Sequence, residues 1–250
     1  MKRPIRTVML FICCLLSLFG AKAAVPGSTG ISFHVLRVIY PESEQKGVTL
    51  TVNNKSAAPY LMQSWIRPVD PNNGDVDLSY NGQQKMPFIV TPPLARLEAN
   101  SELTLRIRRN GELLPNDRES VFFISMKAIP AKQETSEREP AGQMALTVVS
   151  NMKLFYRPAG LAKRAVADVA SQLRFHREGD RLLVENPTPY WLTFSQLKVG
   201  SIELGKPALR LMVPPKGQQR YSLPSGAVGT VAWKLIDEDG WDTPIQRQTL

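Results

Sequence analysis

Apolar and β-branched residues come in short runs, and Pro, Gly, Asn or Asp interrupts nearly every one. Val48, Leu50 and Val52 alternate with polar residues before Asn53-Asn54. Tyr60–Ile66 is closed by Pro68 and the turn-rich stretch from Asp70 to Gly74, and Phe88–Thr91 by Pro92-Pro93. Leu103, Leu105 and Ile107 alternate with Thr104, Arg106 and Arg108. A period of two places alternate side chains on opposite faces of a strand, so such runs read as half-buried β-strands. The 20 prolines and 16 glycines leave little room for long helices.

An opening strand at Ile31–Tyr40, with Val121–Ile129 and Met144–Tyr156, brings the first half to about seven strands, the pattern of an immunoglobulin-like sandwich. Arg157-Pro158-Ala159-Gly160 reads as a hinge, and Ala162–Ala170 as a helical turn or a loose linker. A second β-rich block follows, with runs at Leu173–Phe175, Arg181–Val184, Trp191–Phe194, Leu209–Val213, Val228–Ile236 and Ile245–Leu250. The expected fold class is therefore all-β, with two immunoglobulin-like β-sandwich domains over residues 24–158 and 159–250. The polar stretch Pro130–Gly142 reads as a long loop between strands.

The N-terminus has a different character. Lys2, Arg3 and Arg6 precede the apolar stretch Val8–Phe19, and Ala21-Lys22-Ala23 has the small-residue pattern of a cleavage site. Residues 1–23 are expected to be a cleaved signal peptide, too short in its apolar part to span a bilayer comfortably. Membrane insertion is not expected. Both cysteines, Cys13 and Cys14, fall inside this leader, so the mature chain is expected to have no disulfide. The full chain carries 31 basic and 22 acidic residues, a net +9. The leader takes four positive charges with it, and +5 gives little reason to expect a nucleic-acid partner. The compartment expected is the bacterial periplasm.

Little in the mature sequence points to catalysis. His34 sits in an alternating run and His176 in a polar stretch, and neither has a local nucleophile or acid in triad order. No P-loop, dinucleotide-binding or metalloprotease motif is present. No enzyme activity, metal or cofactor is expected. Asp237, Glu238 and Asp239 before Gly240 read as a solvated turn.

Four motifs occur in order: Leu36-Arg37-Val38-Ile39-Tyr40-Pro41, Leu114–Phe123 with Asp117-Arg118-Glu119-Ser120 at its centre, Lys153-Leu154-Phe155-Tyr156-Arg157-Pro158, and Asn186-Pro187-Thr188-Pro189-Tyr190. Together they resemble the periplasmic pilus-assembly chaperones of the chaperone–usher pathway, over essentially the whole mature chain. The resemblance implies a boomerang, or L, of the two sandwiches. It implies a protein that binds, folds and caps pilus subunits by donor-strand complementation and passes them to an outer-membrane usher. A subunit lacking its last strand exposes an apolar groove and unpaired backbone groups, and the chaperone lends a strand to fill it.

The family's residues carry over one by one. Arg37 and Lys153 would grip the subunit's C-terminal carboxylate, with charge-assisted bonds of about 1.5–3 kcal/mol each. Met144, Leu146 and Val148, which share one strand face, would fill the subunit groove. By alternation alone, that face could equally pack the chaperone's own core. Glu119, Arg157 and Glu238 would hold the angle between the domains, with Asp237 an equally near candidate for the last place. The sequence departs from the family at Leu36, where a threonine is usual, and at Ser125, where an asparagine is common. Without a cysteine pair it is closer to the short-loop members of the family, which build rod-forming or adhesin-tipped pili. A subunit-free molecule would expose the donor edge and could self-associate. The alternative on composition alone is an exported two-domain adhesive or carbohydrate-binding protein, for which Tyr190, Trp191, Trp233 and Trp241 are the aromatic candidates.

Overall fold

The structure, a computed structural model, describes residues 30–131 and 146–250. The leader, Met144 and most of the Pro130–Gly142 loop lie outside the described residues.

Among the described residues, nine strands build the first sandwich. One sheet has the order β1 (Ile31–Phe33), β3 (Val48–Asn54), β7 (Glu102–Arg109), β5 (Phe88–Thr91). The other runs β2 (Arg37–Pro41), β9 (Val148–Arg157), β8 (Ser120–Pro130), β4 (Tyr60–Arg67), β6 (Leu94–Leu97). The alternation read from the sequence is visible in β7. Leu105 and Ile107 are buried, while Thr104, Arg106 and Arg108 between and beside them face solvent. The two inner faces meet in a core that includes Val38, Leu50, Val52, Ile66, Ile124 and Leu154, each contributing about 1.5–3 kcal/mol by leaving water.

The second sandwich pairs the sheet β10 (Arg174–Glu178), β11 (Arg181–Asn186), β14 (Gly217–Ser222) with the sheet β13 (Ile202–Glu203), β12 (Phe194–Val199), β15 (Thr230–Leu235), β16 (Gln246–Thr249). Phe175, Phe194, Trp233 and Leu235 lie in its core. The Ala162–Ala170 stretch holds a one-turn helix, Val166–Val169, followed by a 3₁₀ turn.

Several elements differ from the sequence reading. The opening run is two strands, because the chain bends at His34, Val35 and Leu36 and crosses from one sheet to the other. His34 therefore lies in an exposed bend rather than in a strand, and His176 lies in β10 rather than in a turn. Asn53 and Asn54 continue β3 rather than breaking it. The buried Asn54 amide donates to the carbonyls of Ala58 and Glu98, both at 2.8 Å, and so satisfies two loop acceptors. Leu209–Val213 is not a strand. A short helix, Lys206–Arg210, occupies its start with Pro207 in its first turn, and only Val213 forms a β-bridge, to Leu192. β6, β13 and β14 were not anticipated. β14 is polar at Gln218 and Arg220 on its outward face and at Gln219 on its inner face, which hides its strand character.

A candidate subunit-binding cleft

β2 joins its sheet in parallel with β9, in a register that sets Arg37 directly opposite Lys153. Both side chains stand on the face away from the sandwich core, since Val38 and Leu154, one position on, are core residues. The Arg37 guanidinium lies 5.3 Å above the Phe155 ring. Its Nη1 donates to the Ile236 carbonyl of the second sandwich at 3.0 Å, while its buried Nε has no acceptor among the described residues. Burial lowers the Arg37 pKa, against the pull of Glu119 and Glu238. Lys153 is perturbed more plainly: burial, then the neighbouring Arg37 charge, bring its ammonium down to about 8, with Asp75 opposing. Two cations thus share a half-shielded site whose charge the chain itself leaves partly uncompensated. That arrangement favours an anion.

β9 has two unlike halves. From Lys153 to Tyr156 it is paired on both sides, with β2 and with β8. From Val148 to Met152 it pairs only with β8. The second edge of this half is open among the described residues, and it ends at the Arg37–Lys153 pair. Leu146, Val148, Ser150 and Met152 fall on one face by the period of two. Met152 is buried in the sandwich core, but Leu146 and Val148 are 74% and 53% exposed. The core face of β9 therefore runs out beyond the end of the sandwich. The third expected groove-filling residue, Met144, lies outside the described residues.

The charged set Glu119, Arg157 and Glu238 forms one network. Arg157 Nε is 2.7 Å from Glu119 Oε1, and Arg157 Nη2 is 2.8 Å from Glu238 Oε1. Arg157 also donates to the carbonyls of Ala162 and Lys163 and lies 4.9 Å above the Tyr190 ring. Glu119 accepts from the Trp191 backbone N–H at 2.8 Å, and Glu238 from the Ala165 backbone N–H at 3.0 Å. One guanidinium thus faces two carboxylates. Burial pushes the Glu119 carboxyl up to about 7 against the pull of Arg157. Burial also raises Glu238, but the Ala165 N–H and Arg157 outweigh it and hold that carboxyl below its ordinary value. The more deeply buried acid is the one whose carboxyl is raised. Asp237 does not join this network; its carboxylate accepts from the backbone N–H groups of Asp239 and Trp241 and shapes the turn.

Comparison with known proteins identifies this architecture. Residues 30–162 match the family described as "Pili and flagellar-assembly chaperone, PapD N-terminal domain". Residues 168–247 match "Pili assembly chaperone PapD, C-terminal domain". The chain belongs to the PapD family of pilus-assembly chaperones. It is 40% identical over 92% of its length to the probable fimbrial chaperone LpfB of Escherichia coli O157:H7, covering 92% of that protein. It is 35% identical to the chaperone FimC of Escherichia coli K12, with 92% of this chain and 88% of that one aligned. Among solved structures, the Salmonella enterica SafA pilin–SafB chaperone complex aligns with a TM-score of 0.73 and 30% identity, over 90% of this chain and 98% of that one. The E. coli chaperone DraB aligns with the same score and 33% identity, over 89% and 99%.

One member of the network of this PapD-family chain was named from sequence only as an aromatic candidate of the alternative reading. Trp191 binds Glu119 twice, through its backbone and through its indole N–H, which donates to the Glu119 carbonyl at 3.0 Å. It directly follows the Asn-Pro-Thr-Pro-Tyr motif, which was the available signal. Within that motif the Asn186 amide donates to the carbonyls of Tyr190 and Pro214. Its Oδ1 accepts from the Thr188 hydroxyl at 2.7 Å. The motif thus fixes Tyr190 and Trp191 against the first sandwich. At the family's asparagine position, Ser125 donates to Asn151 Oδ1 across the ladder at 2.7 Å, so β8 and β9 still share a polar link beside the cleft.

Proposed function

We propose that this chaperone, exported to the periplasm after loss of residues 1–23, holds a pilus subunit along the open half of β9 and anchors the subunit's C-terminal carboxylate on Arg37 and Lys153. The subunit-binding part is the first sandwich, residues 24–158. Residues 159–250 form the second domain, linked to it by Glu119, Arg157 and Glu238. The observation that carries the reading is the juxtaposition on β9: an edge unpaired among the described residues, with outward apolar side chains, stops at a paired cationic site. An extended chain laid on that edge gains ladder hydrogen bonds, puts its apolar groove over Leu146 and Val148, and ends with its carboxylate between two cations. Met144 would extend the groove-filling row by one place. The carboxylate sets the register, so a slip of one residue would turn every donor side chain to the wrong face.

The action needs no bond-making step, so the protein works as a binding partner and not as an enzyme. The subunit then passes to an outer-membrane usher. An exchange of one strand for another conserves the ladder and requires no nucleotide. The test is co-expression of a subunit with the Arg37→Ala, Lys153→Ala double variant. The expected result is loss of the co-purified complex, with the circular dichroism and melting of the subunit-free protein retained. Recovery of the complex at wild-type yield would remove the anchor from this site.

A further inference from the structure

Trp65 was not among the aromatic candidates read from the sequence, and subunit binding as proposed makes no use of it. It stands in the middle of β4 on the sheet face away from the core, because Ser64 and Ile66 beside it are buried. Gln63 and Arg67 share that face. The register sets Lys127 of β8 opposite Gln63, and Ser125 opposite Trp65. The Arg67 guanidinium lies 5.6 Å from the centroid of the Trp65 ring. Its Nη1 donates to the Asp77 carbonyl at 3.4 Å, while its buried Nε has no acceptor among the described residues. The loop between β4 and β5 is braced by its own side chains. Asp77 Oδ1 accepts from the Ser79 N–H at 2.8 Å, and the Tyr80 hydroxyl donates to the Gln84 carbonyl. Tyr80 and Asn81 of this loop line an open cavity of about 440 Å³ together with Gln63, Trp65, Arg67 and Lys127. Among the described residues, no carboxylate lines it. β4 lies two strands from β9, so the cavity is separate from the open edge.

We propose that this cavity is a binding site for an acidic saccharide. The site goes beyond subunit binding: none of its lining residues belongs to the carboxylate anchor or to the groove-filling row. A sugar ring has an apolar C–H face and a rim of hydroxyls. The face can lie on the Trp65 indole, and the amides of Gln63 and Asn81 each offer donors and an acceptor to the rim. Arg67 and Lys127 supply the charge for a sugar carboxylate, with no lining acid to compete for them. Arg67 is already held by the indole and by the Asp77 carbonyl, so it loses little freedom on contact. The mixture of groups selects the class. A flat apolar ligand would leave the amides and cations without partners, and a bare anion would leave the indole unused.

The test uses the full mature chaperone, isotope-labelled at its indole nitrogens, with trigalacturonic acid as the probe. A Trp65→Phe variant assigns the Trp65 indole N–H resonance. Trigalacturonic acid is expected to move that resonance in the wild type and to leave those of Trp191 and Trp233 in place. Maltotriose, which has rings but no charge, is expected to bind about tenfold more weakly. Tricarballylate, which has carboxylates but no ring, is expected to bind about tenfold more weakly as well. Asn81→Ala and Lys127→Gln, both outside the core, should each lower trigalacturonate affinity about fivefold at an unchanged melting temperature. A Trp65 resonance that does not move in the wild type overturns the site. Equal binding of tricarballylate overturns the saccharide, and equal binding of maltotriose overturns the role of the two cations. Unchanged affinity in both variants also overturns the proposal.

Discussion

Lys153 is where the cost of function is most visible at the scale of one residue. Burial and the Arg37 charge bring its pKa down to about 8, from the 10.5 of a free lysine. A depressed base contributes stability above its ordinary pKa, and that contribution is lost as the pH falls through the folded value. At neutral pH the subunit-free protein therefore holds an ammonium that the fold disfavours, and Lys153→Met is expected to raise its melting temperature at pH 7 while removing subunit binding. Differential scanning calorimetry together with a pull-down checks both halves. The same shift predicts a pH profile for binding. A carboxylate ligand needs the ammonium form, so affinity should be flat below pH 7 and fall about tenfold between pH 7 and pH 9. A Lys153→Gln variant should bind weakly with no such fall. A profile that stays flat to pH 9 in the wild type would detach Lys153 from the anchor.

At the scale of the element, β9 is one strand with two environments. Its Lys153–Tyr156 stretch is a central strand, and its Val148–Met152 half is an open edge among the described residues. An exposed apolar edge is an association hazard unless it is covered or used. Here the exposed Leu146 and Val148 continue a core face past the point where the core ends. Leu146→Glu should leave the melting transition within about 0.5 kcal/mol of wild type, because the side chain is already in water. It should cut subunit capture at least tenfold, because a carboxylate would enter an apolar groove. A large loss of stability with unchanged capture would instead place Leu146 in the chaperone's own packing.

For the whole molecule, the Arg157 network is the main electrostatic tie between the sandwiches. Glu119 and Arg157 are 1% and 2% exposed, and Trp191, Ala165 and Glu238 of the second sandwich complete their bonding. Buried ion pairs of this kind often add little net stability over an apolar replacement, but removing one member strands a charge. Arg157→Ala leaves two buried carboxylates facing each other. It should cost about 3–5 kcal/mol in urea unfolding, with a larger loss at pH 8 than at pH 5, where the acids are protonated more readily. Equal losses at both pH values would mean that the guanidinium acts through packing on Tyr190 rather than through charge.

What was legible in the sequence was the periodic and the punctuated. Alternating apolar residues have one low-energy answer as a strand with a buried face, so β3, β7 and β8 could be read directly, along with the two-domain all-β class. The order of the Arg37, Glu119, Lys153 and Asn186 motifs resembled one family strongly enough to name the cleft residues. Alternation could not say whether Leu146 and Val148 face the chaperone's core or the solvent, because both give the same period of two. That depends on where the opposing sheet stops, which is a property of two sheets together. Nor could the sequence show the bend at His34–Leu36, since the residues there alternate as a strand does and are turned by the demands of two different sheets. The pairing of Arg37 with Lys153 and the meeting of Leu36 with Gly240 join residues more than a hundred positions apart, and the triad on Arg157 draws its two acids from well outside any local segment. By itself, the sequence determined the strands, their faces and the chemical types available. Only the tertiary structure decided which edge stays open and which charges share one site, because register and burial arise from long-range packing that no local pattern encodes.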